Sequence, residues 1–162
     1  MWITRRTDYA TRALLTLCMA QPDEVLNVDD IARRTGVPTS VSKQIMNHMR
    51  AAGLVRSERG PSGGYRLNHR PEEITLERVV RLFQGPLAPI GCATRLEPEE
   101  CPMTPGCAMQ DVWAEVRDAT IAILSRTTFA DLAARSTGPW VTGVPLPVRS
   151  AHAFALQALD TE

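Results

Sequence analysis

The chain has 162 residues, 44% of them hydrophobic, and its 18 Lys and Arg are balanced by 18 Asp and Glu. That length holds one compact domain with an appendage, and the hydrophobic share excludes a globally disordered chain. No apolar run approaches the roughly 20 residues a membrane helix needs, and Arg5, Arg6 and Asp8 argue against a signal peptide, so a cytoplasmic protein with no membrane partner is expected. The zero net charge hides an asymmetry: residues 1–70 carry 11 Lys and Arg against 6 Asp and Glu, the remainder 7 against 12. A basic half permits a polyanion partner without establishing one.

The first helix is predicted from Thr7, as N-cap, to Met19, with Ala10, Ala13, Leu14, Leu17 and Cys18 as its apolar stripe. Asn27 can cap a second helix, Asp29 and Asp30 suit its positive end, and Gly36 can stop it. After a turn at Pro38, a third helix is predicted from about Ser40 to Ala52, with Val41, Ile45, Met49 and Ala52 inward and Gly53 as its stop. These two form a helix-turn-helix pattern. The period then changes, and residues 54–59 and 65–67 read as short strands around Gly60-Pro61-Ser62-Gly63-Gly64. Thr75 caps a helix from Leu76 to Phe83 that Gly85-Pro86 ends. Residues 87–106, rich in Pro and Gly, form a long loop of the kind that usually serves a function.

From Cys107 to about Ser125 the pattern is helical again. Met109, Val112, Val116, Ala119 and Ile123 alternate steps of three and four, a seam better suited to a dimer than to the chain's own core. The tail holds Pro139, Pro145 and Pro147 and a short apolar helix candidate over Ala151 to Leu159, to which no function is assigned. The expected fold is mainly α: a winged helix-turn-helix with a small β-hairpin wing, a cysteine-bearing loop and a long dimerisation helix. The expected divisions are 1–86 for DNA binding, 87–106 for the loop, 107–135 for the dimerisation helix and its extension, and 136–162 for the tail.

In a helix-turn-helix the start of the second helix enters the major groove. This places Thr39, Ser40, Ser42, Lys43, Gln44 and His48 near DNA. Gln44 suits adenine, Lys43 suits guanine, and the hydroxyls suit phosphates, although Thr39 or Ser42 can instead simply cap the helix. In the wing, Arg59, Gly60, Ser62, Gly63 and Arg66 form a side-chain-poor tip flanked by arginines, and Arg59 can reach into a narrow minor groove. Tyr65 reads as a packing residue for the hairpin. A nucleophile–base constellation and a phosphate loop opening a helix are both missing, so an enzyme is not expected.

Of four cysteines, Cys18 lies on the inner face of the first helix and reads as a core residue. Cys92 and Cys101 have eight residues between them, Cys101 and Cys107 five, unlike the tight spacings of zinc fingers. Thiolates on an irregular loop can wrap an iron–sulfur cluster. Spacing alone leaves zinc, a redox thiol pair and idle cysteines open.

Ordered motifs give these residues a family. Thr7-Asp8-Tyr9-Ala10 with Leu14-Leu15, residues 28–37, Ala51-Ala52-Gly53-Leu54-Val55-Arg56-Ser57, residues 59–67, Pro71-Glu72-Glu73-Ile74-Thr75-Leu76 and Gly85-Pro86-Leu87-Ala88-Pro89 precede the three cysteines. Over about residues 1–135 the chain resembles the IscR/NsrR/RirA group of iron–sulfur transcription regulators. The resemblance implies a homodimeric winged-helix repressor whose cluster, held by Cys92, Cys101 and Cys107, controls binding to a palindromic or near-palindromic double-stranded DNA operator. The signal would be nitric oxide, redox or iron–sulfur status. It favours a 4Fe-4S cluster, with 2Fe-2S as the alternative. Some members carry a histidine three residues after the last cysteine, where this chain has Gln110, a poor iron ligand. Asp8 matches the position from which nitric-oxide-sensing members supply a carboxylate across the dimer; its other reading is help in capping the first helix. The alternative function is a cluster-free winged-helix regulator switching by thiol chemistry or a small ligand.

Overall fold

The computed structural model describes residues 3–21, 24–60, 63–104 and 106–136. Helix α1 (Arg5–Cys18) is the hub, because Ala10, Ala13, Leu14, Leu15 and Leu17 are all buried and several elements pack around them. It touches α2 (Val28–Thr35), α3 (Thr39–Ala51), α4 (Leu76–Gln84) and α6 (Phe129–Arg135). The helix starts earlier than the sequence pattern predicts. Thr4, in extended backbone, is the N-cap and accepts from Thr7 N. Thr7 is buried instead, its hydroxyl 2.8 Å from that of Thr4 and 3.5 Å from Gln84 Oε1 at the end of α4.

The second helix follows its sequence signals. Asn27 Oδ1 accepts from Asp30 N at 2.8 Å, and Gly36 ends α2 in the left-handed conformation at φ 69°. Helix α3 has Pro38 at its N-cap and no side-chain cap, and it buries Ser42, Ile45, Met46 and Met49. Strands β1 (Val55–Glu58) and β2 (Gly64–Leu67) pair antiparallel, with register from Val55↔Leu67 to Glu58↔Gly64. Leu26 extends this ribbon by exchanging backbone bonds of 3.1 and 2.8 Å with Tyr65. A Cβ on Gly64 would lie 2.4 Å from the Leu26 carbonyl oxygen, so glycine is required where the wing meets the chain entering α2.

Helix α4 starts at the Thr75 cap, as its sequence predicts. Short 3-10 turns occupy Pro71–Glu73 and Gly91–Ala93. Helix α5 (Ala108–Arg126) buries none of its side chains within this chain. After it the chain turns back: Leu76 N donates to Thr127 O at 2.8 Å and Phe129 N to Ile74 O at 2.9 Å, an antiparallel bridge centred on Thr75 and Thr128. This delivers Phe129, fully buried, to the core beside α1, and α6 follows. The sequence pattern gave α6 only as an extension of the preceding helix. Its start is nevertheless marked, since Thr128 and Asp131 form a reciprocal capping box.

The architecture is a mainly helical winged helix with a two-stranded wing. Among the described residues no helix is long and apolar enough to cross a membrane. The helix candidate over Ala151 to Leu159 lies outside the described residues. Because Phe129 is the core's largest fully buried side chain, Phe129→Ala is expected to cost about 3–5 kcal/mol. Urea unfolding checks this, and a loss below about 1 kcal/mol would show that α6 is not part of the cooperative core.

Candidate nucleic-acid interface and metal centre

Helix α3 separates its residues into two sets. Thr39, Ser40, Lys43 and Gln44 are exposed on its first turns, and Asn47 and Arg50 continue the same outer surface. Ser42 does not belong with them. It is buried against the turn before α3, its Oγ donating to Val37 O at 3.5 Å, so the expectation that it faces DNA is corrected. The reason is periodicity: Ser42 lies three and seven residues from Ile45 and Met49, on the inner stripe. His48 is half-buried, its ring edge-on to Phe83 at 4.8 Å, which commits it to the α3–α4 contact.

The wing lies beside this surface, with Arg59 exposed at its tip. Gly60 has φ 127°, and Gly63 N donates to Gly60 O at 2.9 Å; a Cβ on Gly63 would approach Glu58 O to 2.6 Å. Two glycines are thus needed for this turn. Ser62 lies outside the described residues. Arg66 is half-buried and pairs with Glu58, Nε to Oε1 at 2.9 Å. Tyr65 is half-buried against the core, and its hydroxyl donates to Asn47 Oδ1 at 3.2 Å, tying wing to recognition helix. Its expected packing role therefore extends to setting the wing against α3.

The second region is built around the start of α5. Cys92 sits in the 3-10 turn Gly91–Ala93, Cys101 on the irregular segment after it, and Cys107 at the N-cap of α5. All three are free and half-buried. Cys101 lines an open recess of about 630 Å3 with Glu99, Glu100, Thr104 and Gln110. Among the described residues, no three His, Cys, Asp or Glu are gathered closely enough to hold a metal ion. The donor set itself, three unpaired thiols on one short irregular stretch, fits a thiophilic centre.

Two side chains of α5, seven residues and hence about two turns apart, grip the Cys92 turn. Gln110 Nε2 donates to Cys92 O at 3.0 Å, and Arg117 Nη1 donates to the next carbonyl, Ala93 O. Arg117 is itself held by Asp118, Nε to Oδ1 at 2.7 Å, and Arg95 pairs with that carboxylate at 2.9 Å. Hydrogen bonds from Arg117 and then Arg95 pull the Asp118 carboxyl down to about 2. Neither Gln110 nor Arg117 was singled out for this role from sequence, since i, i+7 polar residues on a helix carry no signal about which loop they meet.

Met109, Val112, Val116 and Ile123 are 64%, 55%, 42% and 52% exposed, and Ala119 is exposed between them. They form a stripe on α5 turned away from the Gln110–Arg117 face. Asp8, in the first turn of α1, is held by Arg12, with Oδ1 3.1 Å from Nε and Oδ2 2.7 Å from Nη2.

Residues 3–135 match the family model described as Rrf2, an iron-dependent transcriptional regulator. The chain belongs to the Rrf2 family. A putative HTH-type regulator, rrf2-like, of Rhodobacter capsulatus is 35% identical over 138 residues, 82% of this chain and 92% of the relative. The regulator NsrR of Geobacillus kaustophilus is 33% identical over 132 residues, covering 82% of this chain and 89% of its own length. Among solved structures, CymR, the global cysteine regulator of B. subtilis, superposes with a TM-score of 0.73 at 27% identity, over 85% of this chain and 99% of that one. As an Rrf2 protein, the chain is a DNA-binding transcription regulator, and its relatives are named as regulators, not enzymes.

The fourth cysteine of this Rrf2 chain is a different chemical object. Burial pushes the Cys18 thiol up to about 12, with Glu72 adding to the shift. With metal-free protein at pH 8, iodoacetamide is expected to label Cys92, Cys101 and Cys107 first and Cys18 about a hundredfold or more later. Peptide mass spectrometry over time checks the order, and equal rates at all four positions would mean α1 opens freely.

Proposed function

We propose that this chain is an iron–sulfur-dependent repressor that binds a palindromic or near-palindromic operator as a homodimer. The observation that carries the reading is mechanical. The cysteine-bearing segment is clasped by Gln110 and Arg117 from the first half of α5, while the chain leaving the other end of α5 is bridged into the winged helix. Cys92, Cys101 and Cys107 would hold the cluster, 4Fe-4S in preference to 2Fe-2S. When bound, it supplies a redox centre reactive towards nitric oxide or oxygen. The model description "iron-dependent", matching over residues 3–135, supports the metal. Asp8 is the proposed fourth ligand, contributed across the dimer. Both its oxygens are engaged by Arg12 in the single chain, so ligation requires that pair to open.

The exposed apolar stripe on α5 is the proposed dimer seam, because covering the face this chain leaves exposed removes apolar surface from water. Thr39, Ser40, Lys43 and Gln44 with Arg59, Arg66 and the glycine tip are the proposed DNA contacts. The two-fold axis would relate two such sets to two operator half-sites.

A second reading is a cluster-free thiol switch. It is favoured by three half-exposed free thiols that are not gathered around a point, and by the likeness to CymR, the global cysteine regulator of B. subtilis.

Protein purified without oxygen is expected to show a broad visible band with near-stoichiometric iron and sulfide, and Asp8→Ala is expected to lose or alter that band. Colourless wild type that resists reconstitution yet binds a palindromic site would decide for the thiol switch. For the DNA face, Gln44→Ala is expected to weaken operator binding by about 1–3 kcal/mol and relax base preference at one position per half-site. Val116→Asp is expected to give monomers in sedimentation and to cost more affinity than any single contact. If Val116→Asp remained dimeric with full affinity, the seam would lie elsewhere.

A further inference from the structure

We infer that Gln110 is the positioning residue of the cysteine centre, bracing all three cysteine-bearing segments through one side chain and its own backbone; this rests on the cluster reading above. Three bonds carry it. Its Nε2 donates to the Cys92 carbonyl at 3.0 Å. Its backbone N–H donates to the Cys107 carbonyl at 3.0 Å. Its Oε1 accepts from Thr104 Oγ1 at 3.3 Å, and Thr104 N in turn donates to the Cys101 carbonyl at 3.0 Å. One residue therefore links the 3-10 turn holding Cys92, the turn holding Cys101 and the helix start holding Cys107.

The chemistry of the carboxamide is specific to this task. It needs a donor towards Cys92 and an acceptor towards Thr104 at the same time, which only an amide provides at this length. A carboxylate of the same size can accept from Thr104 but cannot donate to a carbonyl, and would repel it. Gln110 also lines the recess that Cys101 opens onto, so the brace sits at the wall of the space beside that thiol. Arg117 holds the neighbouring carbonyl but reaches neither the Cys101 turn nor the Cys107 turn among the described residues. The Cys92 and Cys101 pieces are also joined by Glu99 N donating to Gly91 O at 3.3 Å, and Arg95 of the same segment pairs with Asp118 on α5 at 2.9 Å. Gln110 is thus the residue that meets all three cysteine-bearing pieces, which limits the freedom the segment loses when a cluster binds.

The test compares wild type, Gln110→Ala and Gln110→Glu as full-length protein. Alanine keeps α5 intact because it is the best helix former, and far-ultraviolet circular dichroism verifies this. In metal-free protein, amide exchange at Ala93, Thr94 and Thr104 is expected to quicken roughly five- to tenfold in both variants. Cobalt(II) titration is expected to give the full three-thiolate charge-transfer band in wild type and a weaker, altered band in both variants. Iron and sulfide uptake on anaerobic reconstitution is expected to fall in parallel. Exchange, cobalt band and uptake all unchanged in Gln110→Ala would overturn the inference. So would faster exchange with unchanged cobalt and iron spectra, which would reduce Gln110 to an ordinary loop contact. If wild type takes up no iron and sulfide, the cluster reading fails by itself. The cobalt band of Gln110→Ala then still decides the brace, an unaltered band overturning it.

Discussion

The arrangement depends on one short backbone contact, the antiparallel bridge between residues 74–76 and 127–129. Helix α5 buries no side chain of its own, and an isolated helix of its 19 residues is marginal in water. The bridge converts it from an appendage into an arm fixed at one end. Phe129, inserted beside α1, anchors the return, and the Thr128–Asp131 box starts α6 at once so that the anchor cannot swivel. Ser125 and Arg81 both bond Glu77, adding a polar contact between α4 and α5 and holding that carboxyl below its usual range, with Ser125 contributing most. At its far end α4 presents Gln84 to Thr4 and Thr7 on α1. A displacement of α5 is therefore felt first by α4 and α1, against which α3 is packed.

With one end fixed, the two faces of α5 acquire separate tasks. Gln110 and Arg117 meet the Cys92 turn, while the stripe from Met109 to Ile123 remains uncovered. The clasp is partly electrostatic, and its charges are balanced locally: Asp118 sits between Arg117 and Arg95. Since its carboxyl is held near 2, the pairing is intact at all pH values above about 4 and weakens only as the medium approaches that value. Proton concentration in the neutral range therefore does not alter this ion pair.

Most of the scaffold was legible because its signals are local. Asn27, Gly36, Thr75 and the glycines of the wing each act on their own neighbours, and the structure places helix boundaries where they stand. The errors are of two kinds. Thr7 reads as a cap because it is a threonine before an apolar stripe, whereas in the structure it is buried near Gln84 and Thr4 accepts from its N–H. Ser42 was placed outward on residue type, although its spacing from Ile45 and Met49 already put it on the inner stripe. The three cysteines stand out by their clustering on one irregular loop and by the family resemblance. Gln110 was weighed only as a ligand, because its partners lie 18 residues back and six residues back, and such distances leave no periodic trace.

Under the proposed function, the thiols are gathered around a point only when the cluster binds. A cluster can shift the protein between two states only to the extent that it binds one of them better. If the thiols were already fixed around a point, cluster loss would leave the loop unchanged and carry no information to α5. The observed segment has few ties of its own, and those to α5 are individually modest: a neutral bond at Cys92 contributes about 1 kcal/mol and a charge-assisted one at Ala93 somewhat more. The cluster, joined by three thiolates, would dominate such bonds when present and leave them, with the Arg95–Asp118 pair and the Thr104–Gln110 bond, to hold the segment when absent. Cys107 differs from the other two in being part of α5 itself, so whatever pulls on that sulfur pulls directly on the arm bridged into the DNA-binding body.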